Sequence, residues 1–257
     1  VRKEGNISGA VMAQRHEPHD SLDFFPTPPW ATRALVEHVL CGHGWRADRL
    51  SGMSAWDPCC GSGHMIRPLA EYFAHVHASD IHDYGIGARR ADFLMPGGEP
   101  RGGADFLIFN PPFRLALDFI LQARGIARAA VCALVRTSFS EGQERHADLF
   151  SRHVPLFEAQ FVERVTMVKG RCVDPALPYW NGEKKAWAKI SSATAYMWLV
   201  FPGRDGRDFA RARTGCEKLW IPPCRKTLER AGDYDDPAQS GPKDAGPDAA
   251  AEEGGLI

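Results

Sequence analysis

Asn110 closes the apolar run ADFLIFN and is followed by Pro111, Pro112 and Phe113. Proline lacks the N–H that a strand interior needs, so a double proline belongs at a strand end or in a turn. These four residues therefore form a rigid loop that presents an amide and an aromatic ring at a strand edge. A second cluster lies earlier, at Asp57-Pro58-Cys59-Cys60-Gly61-Ser62-Gly63, between a strand pattern and a helix pattern. Glycines there permit a tight turn and the close approach of a ligand. The helix N-terminus beyond them favours negative charge. Asp80 ends the next strand, 23 residues after Asp57, near the spacing at which an acid accepts both hydroxyls of a ribose. Asp92-Phe93 follows. The loop lacks the G-K-[ST] of a phosphate-binding P-loop, and His64-Met65-Ile66 stands where a dinucleotide fingerprint has its third glycine. Two plainer readings remain open at this point: the glycine loop is a tight turn and no more, or Asn110 caps the helix beginning near Arg114 while Phe113 joins the core.

The elements that must position these residues can be traced in the chain. SAWDP (54–58), VHASD (76–80), ADFLIFN (104–110) and AAVCALVRT (129–137) have strand patterns. HMIRPLAEYFAH (64–75) has an amphipathic helical pattern, with Pro68 demanding a late start or a kink. RLALDFILQARGIA (114–127) is a helix, and ADLFSRHVPLFEA (147–159) is partly helical. FVERVTMV (161–168) and ATAYMWLVF (193–201) form two late strands, an antiparallel pair. Strands alternating with helices through short connections predict an α/β fold with a mostly parallel sheet covered on both faces. The acids and the asparagine would then gather at the carboxyl ends of parallel strands, where open α/β sheets bind ligands.

With 257 residues and 44% apolar content, the chain can bury a substantial core. No run approaches the ~18–20 apolar residues of a membrane span, and the N-terminal stretch lacks a secretory apolar region. The seven cysteines have no C-x-x-C pairing, which suits a reducing, cytoplasmic setting. No histidine spacing implies a metal site. The net charge of −1 hides an asymmetry, since residues 231–257 hold seven acids and one base. A mildly basic body with an acidic tail is compatible with nucleic-acid binding and is also common among proteins that bind none. Residues 1–20 are expected to be a flexible segment, 21–205 the folded domain, 206–230 a C-terminal extension and 231–257 a disordered acidic tail.

From about residue 22 to 201 the sequence resembles the class I S-adenosylmethionine-dependent methyltransferases, and among them the amino-methyltransferases with an [N/D/S]-P-P-aromatic motif. DFFPTPPWATRALVEHV (23–39) is similar to the family's N-terminal motif, which implies that Phe25 and Thr27 lie near the methionine carboxylate of the cofactor. DPCCGSGHM (57–65) matches the cofactor loop, implying roles for Asp57, Pro58, Gly61 and Gly63, with Asp57 near the methionine amino group. Asp80 matches the ribose-binding acid. ADFL (91–94) matches the adenine-edge motif, with Asp92 on the exocyclic amine and Phe93 on the ring. NPPF (110–113) matches the catalytic motif formed here by Asn110, Pro111, Pro112 and Phe113. The implied fold is a Rossmann-like, doubly wound, mostly parallel seven-stranded sheet with an antiparallel last strand and no separate recognition domain. The implied cofactor is S-adenosylmethionine.

In the implied chemistry, the Asn110 side-chain oxygen and the Pro111 carbonyl bind the two N–H bonds of a planar amine. Its lone pair then faces the sulfonium methyl, and Phe113 stacks on the extruded base. The resemblance points most directly to N6 of adenine in DNA, single- or double-stranded, with short or low sequence specificity, as in an orphan phage-type enzyme. Guanine N2 of ribosomal RNA, a protein glutamine, or a non-catalytic nucleic-acid-binding module of the same fold are the alternatives. The segment KGRCVDPALPYWNGEKKAWAKISS (169–192) interleaves bases and aromatics and is the candidate recognition insert, with Tyr179, Trp180, Lys184 and Lys185 as candidate substrate contacts. A surface loop tethered by a tryptophan is the plainer reading of the same segment.

Overall fold

The structure is a computed structural model that describes residues 23–181, 185–190, 194–205 and 215–235. The expected flexible N-terminus therefore lies outside the described residues, as do Lys184 and residues 236–257 of the acidic tail.

Eight strands form one sheet: β1 (Ser54–Asp57), β2 (His75–Asp80), β3 (Arg89–Arg90), β4 (Phe106–Phe109), β5 (Ala130–Arg136), β6 (Phe157–Phe161), β9 (Tyr196–Pro202) and β10 (Glu217–Ile221). Their spatial order is β10-β6-β9-β5-β4-β1-β2-β3. Only β9 runs antiparallel, to β5 on one side and to β6 on the other. A separate hairpin pairs β7 (Tyr179–Asn181) with β8 (Ala186–Ala188). The α/β, Rossmann-like expectation holds, with one strand more than the seven expected. The addition is β10, which extends the sheet by pairing in parallel with β6. Its alternation was hidden by charge: Glu217 and Lys218 are exposed, Trp220 is 65% exposed, and only Ile221 is buried.

The central strands are apolar without interruption because both faces are covered. In β4, Phe106 and Ile108 face one core cluster while Leu107 and Phe109 face the other. In β5, Cys132 and Leu134 alternate with Val131, Ala133 and Val135 in the same way. The first face is covered by α1 (Pro29–Ala34) and the wider π-type turn that continues it over Leu35–Leu40. Trp198 of β9 locks to it by donating its indole N–H to the Ala31 carbonyl at 3.1 Å. The second face is covered by α3 (Ala116–Ile126), which buries Ala116, Phe119, Ile120 and Ala123.

Two expected elements moved. The helix expected over 64–75 shrinks to one turn, α2 (Ile66–Leu69). Pro68 supplies no N–H to extend it backwards, and Met65, Leu69 and Phe73 instead pack as a bent segment in the first core cluster. The strand expected at 161–168 ends at Phe161 and begins earlier, at Phe157, where buried and half-buried residues alternate. Beyond it Val162 is exposed, and the Glu163 carboxylate accepts the N–H groups of Cys224 and Arg225 at 3.1 and 3.0 Å. Glu163 thus caps α4 (Arg225–Leu228) rather than continuing a strand.

The expectation of a disordered tail from residue 231 is corrected at its start. Arg33 is 3% exposed and would be a buried charge without partners. It donates to Glu71 and to both oxygens of Asp233, the latter at 2.7 and 3.0 Å, and to the Leu228 carbonyl at 2.7 Å. A buried guanidinium needs this much compensation. The acid at 233 is therefore part of the fold, because the charge it neutralises lies 200 residues upstream in α1.

Candidate functional site

The strand order reverses between β1 and β4: the chain runs from β1 outward to β2 and β3, then crosses back to β4 on the other side. Such a switch point leaves a crevice at the carboxyl ends of the strands. Here it holds an open cleft at that crevice. Asp57 closes β1, Asp80 closes β2, and Asn110 follows β4, so all three reach it. Phe25, Thr27, Pro58, Gly61, Asp92, Phe93 and Pro112 also line it.

Each acid is fixed by backbone amides. Asp80 accepts the Gly61 N–H on one oxygen and the His82 N–H on the other, both at 2.9 Å. Asp57 accepts the Cys59 N–H at 3.1 Å. Burial drives the Asp57 pKa up to about 7. The Cys59 N–H pulls it down, and the charge of Asp80 adds to the rise. Asp92 accepts the Leu94 N–H at 3.0 Å. Phe93 is set edge-on against Trp56 and tilted against Phe119, with ring centroids at 5.3 and 4.9 Å, so packing holds it at the wall. Gly61 has φ +51°, and a Cβ there would meet the Phe24 ring at 2.4 Å, so the loop passes directly beneath that ring.

Asn110 sits where the N-terminal segment crosses the cleft. Its Nδ2 donates to the Phe25 carbonyl at 2.9 Å and lies 3.6 Å from the Met167 sulfur. Its Oδ1 is buried and has no partner. Cys59 donates its S–H to the Asn110 carbonyl at 3.3 Å, tying the glycine loop to this second loop. The Phe113 N–H donates to Asp23 at 2.7 Å, which holds the N-terminal segment from the other end.

Several expected residues lie elsewhere. Pro111 and Phe113 line a second cavity, together with Val135, Arg136, Ser138, Phe139 and Arg145, while the Phe113 ring also lies 5.6 Å from the Phe25 ring of the cleft. The Arg136 guanidinium lies over the Phe113 ring at 4.1 Å, so that ring face is covered. Gly63, at φ +81°, shapes the turn and does not line the cleft. Tyr179, Trp180 and Lys185 line neither cavity. Trp180 and Trp187 are opposite one another in the hairpin, edge to face at 5.8 Å. Lys185 has φ +48° at the turn. Thr27 is buried, and its hydroxyl is directed at the Met167 sulfur, 4.0 Å away.

Sequence reasoning missed Cys59, Cys60, His64, Met65, Tyr84, Leu115 and Phe119, which also line the cleft. His64 carried a visible signal, its place directly after the glycine loop. Its partner Asp235 gave none, because the pairing spans 171 residues. No group of residues suited to a metal ion occurs among the described residues, and no helix among them is long and apolar enough to cross a membrane.

No protein-family model and no curated protein sequence matches the chain. Among solved structures it is similar to a protein from Listeria monocytogenes assigned as a class I S-adenosylmethionine-dependent methyltransferase. That match has a TM-score of 0.51 and 12% identity, over 83% of this chain and 69% of that one. A protein from Pyrococcus horikoshii assigned as an RNA methyltransferase matches with a TM-score of 0.48 and 15% identity, over 76% and 95% of the two chains. A protein from Vibrio vulnificus assigned as the modification subunit of a type I restriction enzyme matches with a TM-score of 0.45 and 13% identity, over 77% and 47%. At these identities the likeness is one of fold: the chain has the Rossmann-like architecture of the Listeria protein.

Proposed function

We propose that the protein transfers a methyl group from S-adenosylmethionine to an exocyclic amino nitrogen, and that its acceptor is N6 of adenine in DNA. The observation that carries this reading is Asn110 Oδ1. A buried carbonyl oxygen without a partner is costly, and such a group in a native site is accounted for by what it binds. The amide cannot turn to satisfy itself, because its Nδ2 is held by the Phe25 carbonyl. The free oxygen therefore awaits a donor, and an amine N–H is one.

The residues present fit the cofactor. Asp23, Asp57, Asp80 and Asp92 line the cleft, with no lysine or arginine among the described lining residues. Such a surface favours a ligand carrying positive charge. Asp57, with its raised pKa, gains from a neighbouring cation, since burial first, and the charge of Asp80 in addition, otherwise disfavour its ionisation. Asp80 stands ready for a ribose and Asp92 for an adenine edge. When bound, the cofactor supplies an electrophilic methyl group.

The chain's own part is positioning. Asn110 Oδ1 accepts one N–H of the acceptor amine and the Pro111 carbonyl accepts the other, leaving the nitrogen lone pair directed at the methyl. As the nitrogen becomes positive, the two acceptors stabilise the charge, and the alkylated amine, now strongly acidic, gives its extra proton to water without a strong base. An acceptor ring that stacks on Phe113 takes the place now held by the planar Arg136 guanidinium, which moves aside. The mildly basic body and the hairpin that joins lysines to aromatics support a nucleic-acid acceptor.

Labelled methyl transfer to unmethylated duplex DNA, single-stranded DNA, ribosomal RNA and extract protein tests this reading. Label recovered as N6-methyladenine, and lost with Asn110→Ala, supports it. Label confined to RNA or protein overturns the choice of acceptor and keeps the chemistry.

A further inference from the structure

His64 is the one basic side chain lining the cleft among the described residues, and it is 3% exposed. It is held from a distance. Its Nε2 lies 2.7 Å from Asp235 Oδ1, a pair in which the ring nitrogen donates. Asp235 is itself fixed by Cys172 at two points: its Oδ2 accepts the Cys172 N–H at 2.9 Å, and its own N–H donates to the Cys172 carbonyl at 2.8 Å. The ring is therefore oriented, and its remaining nitrogen, Nδ1, is buried without a partner. An imidazolium donates from both nitrogens, so a ring anchored on a carboxylate at one side can offer an N–H to a second anion at the other.

The neighbours of His64 mark which part of the cleft this is. Met65, Pro26 and Thr27 line it beside the loop, where the N-terminal segment crosses. Thr27, the polar side chain of that segment, is buried and directed at the Met167 sulfur. Among the described residues that line the cleft there are four aspartates and no lysine or arginine, so His64 is the one nitrogen base there that can offer an N–H to the cofactor's single anionic group. Resting on the cofactor reading above, we propose that His64, positioned by Asp235, binds the carboxylate of the cofactor's amino-acid end through Nδ1–H. Asp235 lies in the segment that composition assigns to a solvated tail. The C-terminal segment is on this account a working part of the cofactor site, and the chain Asp235–His64–carboxylate spans it.

Calorimetric binding of three ligands separates this from a packing role: S-adenosylhomocysteine, its decarboxylated amine, and 5′-methylthioadenosine. In His64→Leu the affinity for S-adenosylhomocysteine falls about tenfold, the size expected for a charge-assisted hydrogen bond. The other two ligands bind as they do to the wild type. Asp235→Asn, at a side chain 41% exposed and so replaceable without disturbing the core, gives the same selectivity with a loss of about threefold or more. An unchanged S-adenosylhomocysteine affinity overturns the proposal, as does an equal loss for all three ligands. A loss shared by S-adenosylhomocysteine and the amine overturns it too, since His64 would then serve the ammonium group. If the wild type binds none of the three, the cofactor reading falls with it, whereas binding of all three by every protein removes the His64 assignment alone.

Discussion

The cleft and the β7–β8 hairpin were both expected to carry function, and the fold treats them differently. In the cleft, side chains from four separate stretches converge, each held by a backbone hydrogen bond, a packed ring or both. In the hairpin, the two tryptophans pack on each other and, among the described residues, the strands pair only with one another. Phe113 belongs to neither: it lines the second cavity, packs beside Phe25 and is covered by Arg136. The lesson is about preorganisation. A small ligand and a developing charge need groups already in place, and the switch point of the sheet supplies them. A polymer bound over a surface can be met by groups that rearrange on contact.

The sharpest way to break this contrast is Asn110→Ala. Turnover is expected to fall about 10²–10³-fold, the scale of losing one preorganised polar contact to the reacting group. S-Adenosylhomocysteine affinity, measured by calorimetry, should stay within about twofold of wild type. Equal losses in both would assign the amide to holding the Phe25 carbonyl and leave its free oxygen without a role. Gly61→Ala tests the cleft alone. The new methyl meets the Phe24 ring at 2.4 Å and the backbone sits at φ +51°, so cofactor affinity should drop tenfold or more, roughly 1–3 kcal/mol. DNA affinity measured without cofactor should not change.

Asp57 sharpens the contrast through pH. Its ordinary value is 3.8 and its value in the fold is about 7, so the folded state holds a proton that the unfolded state has released. Stability is therefore lost as pH rises from about 4 to 7 and levels off above that. Asp57→Asn removes this loss, and thermal unfolding at pH 8 should occur several degrees higher than in wild type. The gain is bought with function: a ligand's ammonium group needs the ionised acid, so wild-type affinity for S-adenosylhomocysteine should climb as pH approaches 7, by at most about tenfold per unit. In the Asp57→Asn variant that climb should flatten. A climb that persists would move the titrating group elsewhere in the cleft.

What could be read in the sequence was local. Asp57, Gly61, Asp80, Asp92 and Asn110 each stand at the end of a strand pattern or in a turn, and the topology of an α/β sheet then brings such positions together without further information. The central strands were legible because a run such as AVCALVR is apolar on both faces. What failed was pairing across distance. Arg33 with Asp233 and His64 with Asp235 join residues 200 and 171 apart, and no spacing rule connects them. Composition pointed the wrong way for the same two acids, since a stretch rich in Asp, Pro and Gly reads as solvated until a buried arginine claims one of its charges. Phe113 failed for a subtler reason. The NPPF order fixes where the backbone turns, whereas the direction of the ring is set by Arg136 and Tyr196 on strands β5 and β9.

The smallest expected effect tests the hairpin. Trp180 packs edge to face on Trp187, and its carbonyl accepts the Arg171 guanidinium at 2.6 Å. An isolated two-stranded hairpin is marginal in water, so the tryptophan pair contributes much of its order. If the hairpin meets nucleic acid, Trp180→Ala should weaken DNA binding by about 1 kcal/mol, the lower end of what one stacked base contributes. Cofactor affinity should not move. Lys185→Ala should do less at any one salt concentration and instead lower the slope of log affinity against log salt by about one. The two changes separate stacking from phosphate contact, because stacking alters affinity at every ionic strength and leaves the slope alone. Should neither variant alter DNA binding, the hairpin is a surface ornament of the fold, and the next candidate surface is the cavity lined by Pro111 and Phe113, where Arg136 and Arg145 already lie over the rings of Phe113 and Phe139.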